Sequence, residues 1–83
     1  MFLETEKYLT QRNWIGFHEP NKTSYINRFN NIAEIYIEKI KEINKDLFMV
    51  SFPIKNSTFS YKTTFYDEKV AKMYLQKIVY DYF

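Results

Sequence analysis

The sequence predicts a small α+β domain, and three observations predict it. Apolar residues recur at steps of three and four through 24–47, two apolar stretches flank Asn56-Ser57, and a second helical stripe follows Asp67. Their order gives α-α(long)-β-β-α: a short helix, a long helix, an antiparallel hairpin packed on the helices, and a last helix. The chain 1–83 is expected to be a single domain. At that length about 60–65% of the unfolded surface is buried on folding, so the core is small.

Residues 3–15 predict the first helix, with Leu3, Leu9 and Ile15 as contacts, Gly16 as its C-cap and Pro20 soon after. The linker 17–22 has turn composition, and Asn21 or Thr23 can cap the long helix. In 24–47 the residues Ile26, Phe29, Ala33, Tyr36, Ile40, Ile43 and Leu47 form one stripe, which Ile32 and Ile37 widen. A strand competes for part of this stretch. Ala33, Ile35 and Ile37 alternate with Glu34, Tyr36 and Glu38, and Asn30-Asn31 suits a hairpin turn after a strand over 25–29. With 31–40 as a third strand the order becomes α-β-β-β-α, around a three-stranded antiparallel sheet. The long helix is favoured because its spacing persists to Leu47, and because Asn31 and Glu34 match a capping box.

The hairpin comes next, from 47–54 (LFMVSFPI) and 58–66 (TFSYKTTFY). A two-residue turn at Asn56-Ser57 pairs Ile54 with Phe59, Phe52 with Tyr61, Val50 with Thr63 and Phe48 with Phe65, so one face is apolar. Leu47 and Tyr66 fall on the other face. Pro53 cannot donate to a ladder, so its strand is an edge strand there or the ribbon has only two strands. Helix 67–82 starts on Asp67 and turns Val70, Ala71, Tyr74, Leu75, Ile78 and Tyr82 inward.

Twelve basic and ten acidic residues leave a net charge of +2, too little to mark a nucleic-acid binder. The absence of cysteine excludes disulfide and thiolate chemistry. No apolar run reaches the length of a membrane span and the start has no signal-peptide core, so a cytoplasmic protein with no membrane partner is expected. His18 is the only histidine, and His18-Glu19 reads as a solvated loop pair rather than an acid–base pair. No residues have metal-ligand spacing, and a single glycine excludes Gly-rich phosphate loops. The expectation is therefore no catalytic residue, no metal, no cofactor and no enzymatic activity.

Aromatic residues, by contrast, make up 20% of the chain: eight Phe, eight Tyr and Trp14. AT-rich coding favours Phe and Tyr along with Ile, Asn and Lys, and accounts for part of this excess. The same residues also anchor interfaces. The expected function is a non-enzymatic protein that binds a larger host protein or nucleoprotein complex stoichiometrically. Small inhibitors and modulators of phages and mobile elements work in this way, and an anti-CRISPR role is one member of that class. Candidate partner contacts are Lys62, Lys69, Lys72, Met73, Lys77 and Tyr80, with Met49, Ser51 and Thr64 beside Lys62 on the hairpin's exposed face. Glu34, Glu38 and Glu42 offer an alternative acidic face, about 6 Å apart if helical. The alternative function is weak nucleic-acid binding by the hairpin and the basic side of the last helix. A monomer is expected over a homodimer, since a small core needs the 24–47 stripe for itself.

Lys62-Thr63-Thr64-Phe65-Tyr66-Asp67, followed by Ala71, Tyr74 and Leu75, resembles the last strand and helix of the arm-binding domains of phage integrases and of AP2 domains. The resemblance implies a three-stranded sheet packed on a helix and DNA read by the sheet. It covers this C-terminal segment alone, lacks those families' glycines and Arg-rich strands, and assigns no DNA-reading residue.

Overall fold

From Trp14 to Phe65 the chain is rich in Ile, Tyr, Phe and Thr, residues that fit a pleated surface. The computed structural model, which describes residues 3–83, shows this whole segment as a five-stranded antiparallel meander. The elements are α1 (Leu3–Thr10), β1 (Trp14–Glu19), β2 (Lys22–Asn27), β3 (Glu34–Glu42), β4 (Lys45–Pro53), β5 (Ser60–Phe65) and α2 (Glu68–Tyr82). The α+β class stands, but the order α-α(long)-β-β-α does not. The long helix over 24–47 is instead most of β2, all of β3 and the start of β4. The three-stranded alternative also falls short, by two strands.

The physical reason lies in the loop between β2 and β3. The Asn27 side-chain oxygen accepts from the amides of Phe29 (2.9 Å) and Asn30 (3.0 Å), and the Ala33 amide donates to the Asn30 carbonyl at 3.0 Å. Asparagine offers its own backbone this alternative to a helix. Beyond the loop, Ile35 and Ile37 are buried on one face of the sheet and Tyr36 on the other. The seven-residue stripe is dispersed as a result: Phe29 stands in a loop and Ile43 in the turn between β3 and β4, both exposed.

The first helix is likewise shorter than the expected 3–15. It ends at Thr10, and Asn13, at φ 69°, reverses the chain into β1. The residue in the left-handed region is thus an asparagine, and Gly16 is not a C-cap but lies inside β1. The β4–β5 register pairs Phe48 with Phe65, Val50 with Thr63 and Phe52 with Tyr61. Pro53 pairs with Ser60 alone, beyond the last β3–β4 pair at Tyr36 and Ser51, so its missing N–H removes no bond to β3. Ile54 and Phe59 lie past the last strand pair and are exposed.

Both helices lie on one side of the sheet. Leu9 of α1 and Ala71, Leu75 and Val79 of α2 meet Tyr25, Ile35, Ile37, Phe48 and Val50 in the core. Asp67 caps α2, its carboxylate accepting from the Lys69 amide at 2.9 Å. The inward stripe of α2 differs from the expected one. Val79 is buried, whereas Val70 and Tyr82 are exposed. At the end of α2, Phe83 stands edge-on to Trp14 with ring centroids 5.7 Å apart, closing that end of the core.

Candidate functional site

Strand register decides which side chains share a surface. Residues that pair across strands point to the same face, so the side of the sheet away from the helices carries the row Phe17, Ser24, Tyr36, Ser51, Lys62. The next row is Glu19, Lys22, Glu38, Met49, Thr64, and Ile15, Ile26 and Glu34 form a third. Tyr36 is the centre of this open face. The small serines on either side leave room for its ring, and its hydroxyl meets the Met49 sulfur at 3.5 Å. The Lys22 ammonium stands 4.4 Å from the ring centroid and that of Lys62 6.0 Å. Lys22 also reaches Glu34 at 3.5 Å.

The candidate contacts named from the sequence are divided between two sides. Lys62, Met49, Ser51 and Thr64 stand on the open face. Lys69, Lys72, Met73, Lys77 and Tyr80 belong to α2, on the far side of the sheet. There Lys72 pairs with Glu68 at 2.8 Å, and Tyr80 packs edge-on against Tyr8 of α1, with centroids 4.7 Å apart. The structure therefore does not gather these residues into one patch. Glu34, Glu38 and Glu42 do share the open face, but on a strand. Four residues of strand span about 13 Å, twice the helical spacing, so they make no concentrated acidic patch.

A second group of titratable side chains lies on the helix side, where α1, α2 and the sheet leave a cleft of about 190 Å3 lined in part by Glu6, His18, Thr23, Tyr25 and Lys72. His18 does not pair with the adjacent Glu19. Its Nε2 meets the Glu6 carboxylate of α1 at 2.5 Å. Burial, and then the charge and hydrogen bond of Glu6, push the Tyr25 hydroxyl well above its ordinary value. One carboxylate thus holds an imidazole from β1 and a phenol from β2. Among the described residues no three His, Cys, Asp or Glu side chains are placed to hold a metal ion. The cluster is a latch that fastens α1 to the sheet. Sequence spacing hid it, because its members come from three separate elements, with Glu6 and His18 twelve positions apart.

The Tyr25 shift sets a pH dependence. A phenol kept neutral by the fold retains its proton where the unfolded chain loses it, so stability is full below the unfolded value of 10.0 and falls as pH rises above it. The melting temperature is expected to drop progressively above about pH 10. Tyr25→Phe should flatten that decline. Tyr74, also raised by burial and by Tyr61 and Tyr82, leaves a residual slope. An unchanged alkaline slope in Tyr25→Phe would show that Tyr25 does not carry the effect.

No protein-family model, no curated protein and no solved structure matches the chain.

Proposed function

We propose that the chain is a non-enzymatic binding module that docks a larger protein partner through the open face of its sheet. The observation that carries this reading is the one-sided cover. Both helices pack on one face, while the other presents Ile15, Phe17, Ile26 and Met49 around Tyr36 with no element among the described residues over them. An antiparallel sheet of this kind solvates its free face with polar residues when nothing binds there. Here apolar and aromatic groups occupy the middle, with charges of both signs between them. Interfaces share that composition.

The balance of charge favours protein over nucleic acid. Glu19, Glu34, Glu38 and Glu42 face Lys22, Lys45 and Lys62 on this side, a face without the positive excess that phosphate contacts require. Nucleic-acid binding through Lys62 together with Lys69, Lys72 and Lys77 would have to wrap around both sides of the molecule.

Affinity capture from a lysate with Phe17→Asp beside Lys77→Asp tests the proposal. Phe17 is half-exposed at one end of the Tyr36 row, so the charge leaves the core untouched. A stoichiometric protein partner retained by the parent chain and by Lys77→Asp, but weakened roughly 30-fold by Phe17→Asp, is the expected result, the effect of losing one anchor residue. Loss through Lys77→Asp alone, recovery of nucleic acid alone, or turnover of a substrate would defeat it.

A further inference from the structure

Apart from Ile43 in the β3–β4 turn, the most exposed apolar residues between β1 and β5 are Phe29, Phe59 and Ile32, all in loops at one end of the sheet. The β2–β3 and β4–β5 loops both leave the same end of the meander, next to the end of α2. On the first, Phe29 is 80% and Ile32 73% exposed. On the second, Phe59 is 74% and Ile54 44% exposed. Two hairpin tips, two strand spacings or about 10 Å apart, therefore each project an aromatic and an aliphatic side chain beyond the sheet.

Charge distinguishes this end from the rest of the surface. Residues 28–33 read RFNNIA and 54–59 read IKNSTF: Arg28 and Lys55 are the charged residues there, and neither loop holds a carboxylate. Glu34, just beyond the first loop, is engaged by Lys22. Asp81, two residues before the Phe83 that packs on Trp14, is near this end, and so is Arg12, next to the Asn13 whose carbonyl accepts from the Arg28 amide. Three cations elsewhere stand beside acids: Lys22 by Glu34, Lys39 by Asp46 and Lys72 by Glu68.

We propose that this end docks on an anionic phospholipid bilayer, with Phe29, Ile32, Ile54 and Phe59 entering the headgroup region and Arg28 and Lys55 against the lipid phosphates. Separate convex tips suit a fluid surface, which closes around each one, better than a protein, which would need a matching pocket for each. Isoleucine has no π-face for a base to stack on, so half of the projecting side chains contribute nothing to single-stranded nucleic acid. Docking in this way requires no membrane span, and no helix among the described residues is long and apolar enough to make one. With the strands standing on the membrane, the open face remains free at the side. The inference goes beyond the partner-binding reading and does not rest on it.

Sedimentation with vesicles tests it, using phosphatidylcholine alone and phosphatidylcholine containing about one-third phosphatidylserine, in about 0.1 M salt. The chain is expected to sediment with the anionic vesicles and at least tenfold less with the neutral ones. Arg28→Gln with Lys55→Gln should weaken binding roughly 25-fold, about fivefold per cation. Phe29→Ala with Phe59→Ala should weaken it at least tenfold while leaving the circular dichroism spectrum unchanged, since both rings are solvent-exposed. Ile43→Ala, 98% exposed at the opposite end of the sheet, should bind like the parent. No sedimentation with anionic vesicles, an equal loss in Ile43→Ala, or full binding by the double Phe variant would overturn the proposal. So would tighter binding of a single-stranded oligonucleotide that depends on Phe29 and Phe59.

Discussion

Replacing Leu75 with alanine is expected to remove about half or more of the free energy that holds the protein folded. Leu75 is fully buried in the middle of the inward stripe of α2, one turn from Ala71 and one from Val79, each fully buried as well. Its neighbours cannot close the resulting hole. The floor beneath is a sheet whose strands are held in register on both sides, and Ala71 above has no side chain to spare. A buried Leu→Ala change of this kind costs about 2–5 kcal/mol, most where the site cannot collapse. An 83-residue domain has roughly 4–12 kcal/mol in total, and a core this small argues for the lower part of that range. Urea unfolding followed by circular dichroism measures the loss. Val70→Ala, on the exposed side of the same helix, is the control and should change stability by less than about 1 kcal/mol. A Leu75→Ala loss no larger than that of the control would mean that α2 does not pack on the sheet through this face.

The long helix that the spacing predicts, and the strands it conceals, have one cause. A strand announces itself by strict alternation only when one of its faces is polar. Here both faces carry apolar residues: Tyr25 and Ile26 are adjacent in β2, and Ile35, Tyr36 and Ile37 are consecutive in β3. Apolar positions so dense satisfy a helical spacing by coincidence. Ile43, almost fully exposed in a turn, and Phe29, at a loop tip, complete a stripe that no helix uses. Where periodicity and local chemistry agree, the sequence is a sound guide. Asp67 caps α2, and the 48–65 hairpin pairs in the expected register, although its turn is centred on Lys55-Asn56 rather than Asn56-Ser57: the Ser57 amide donates to the Ile54 carbonyl at 3.2 Å, with Asn56 at φ 62°. The open face is half legible. Met49, Ser51, Lys62 and Thr64 follow from the hairpin register, but Phe17 and Tyr36 join them only once residues 14–27 and 34–42 are strands. The Glu6–His18–Tyr25 latch is not legible at all, because it depends on how α1 crosses β1.

That crossing gives the single glycine its place and yields the second large effect. Gly16 does not stand at a positive φ, so it is not required for its backbone conformation. Space is what it supplies. A Cβ at this position would stand 2.7 Å from the Glu6 carboxylate oxygen and 3.1 Å from the Tyr25 ring. The ring is fixed in the core, whereas the carboxylate is the end of a flexible side chain and will yield first. Once displaced, Glu6 abandons both His18 and the buried Tyr25 hydroxyl, and a buried hydroxyl left without its acceptor costs about 1–3 kcal/mol. Against this, alanine restrains the unfolded chain more than glycine does, a gain of about 0.4–1 kcal/mol. Gly16→Ala is therefore expected to destabilise by about 1–2 kcal/mol, and Gly16→Val by more, because its methyl groups also meet the immovable ring. A double-mutant cycle identifies the cause. In a Glu6→Ala background the carboxylate is already gone, so Gly16→Ala should lose at least about 1 kcal/mol of its effect, a coupling typical of groups in contact. If Gly16→Ala proves neutral or stabilising in the parent chain, or costs the same with and without Glu6, the latch does not lie over Gly16.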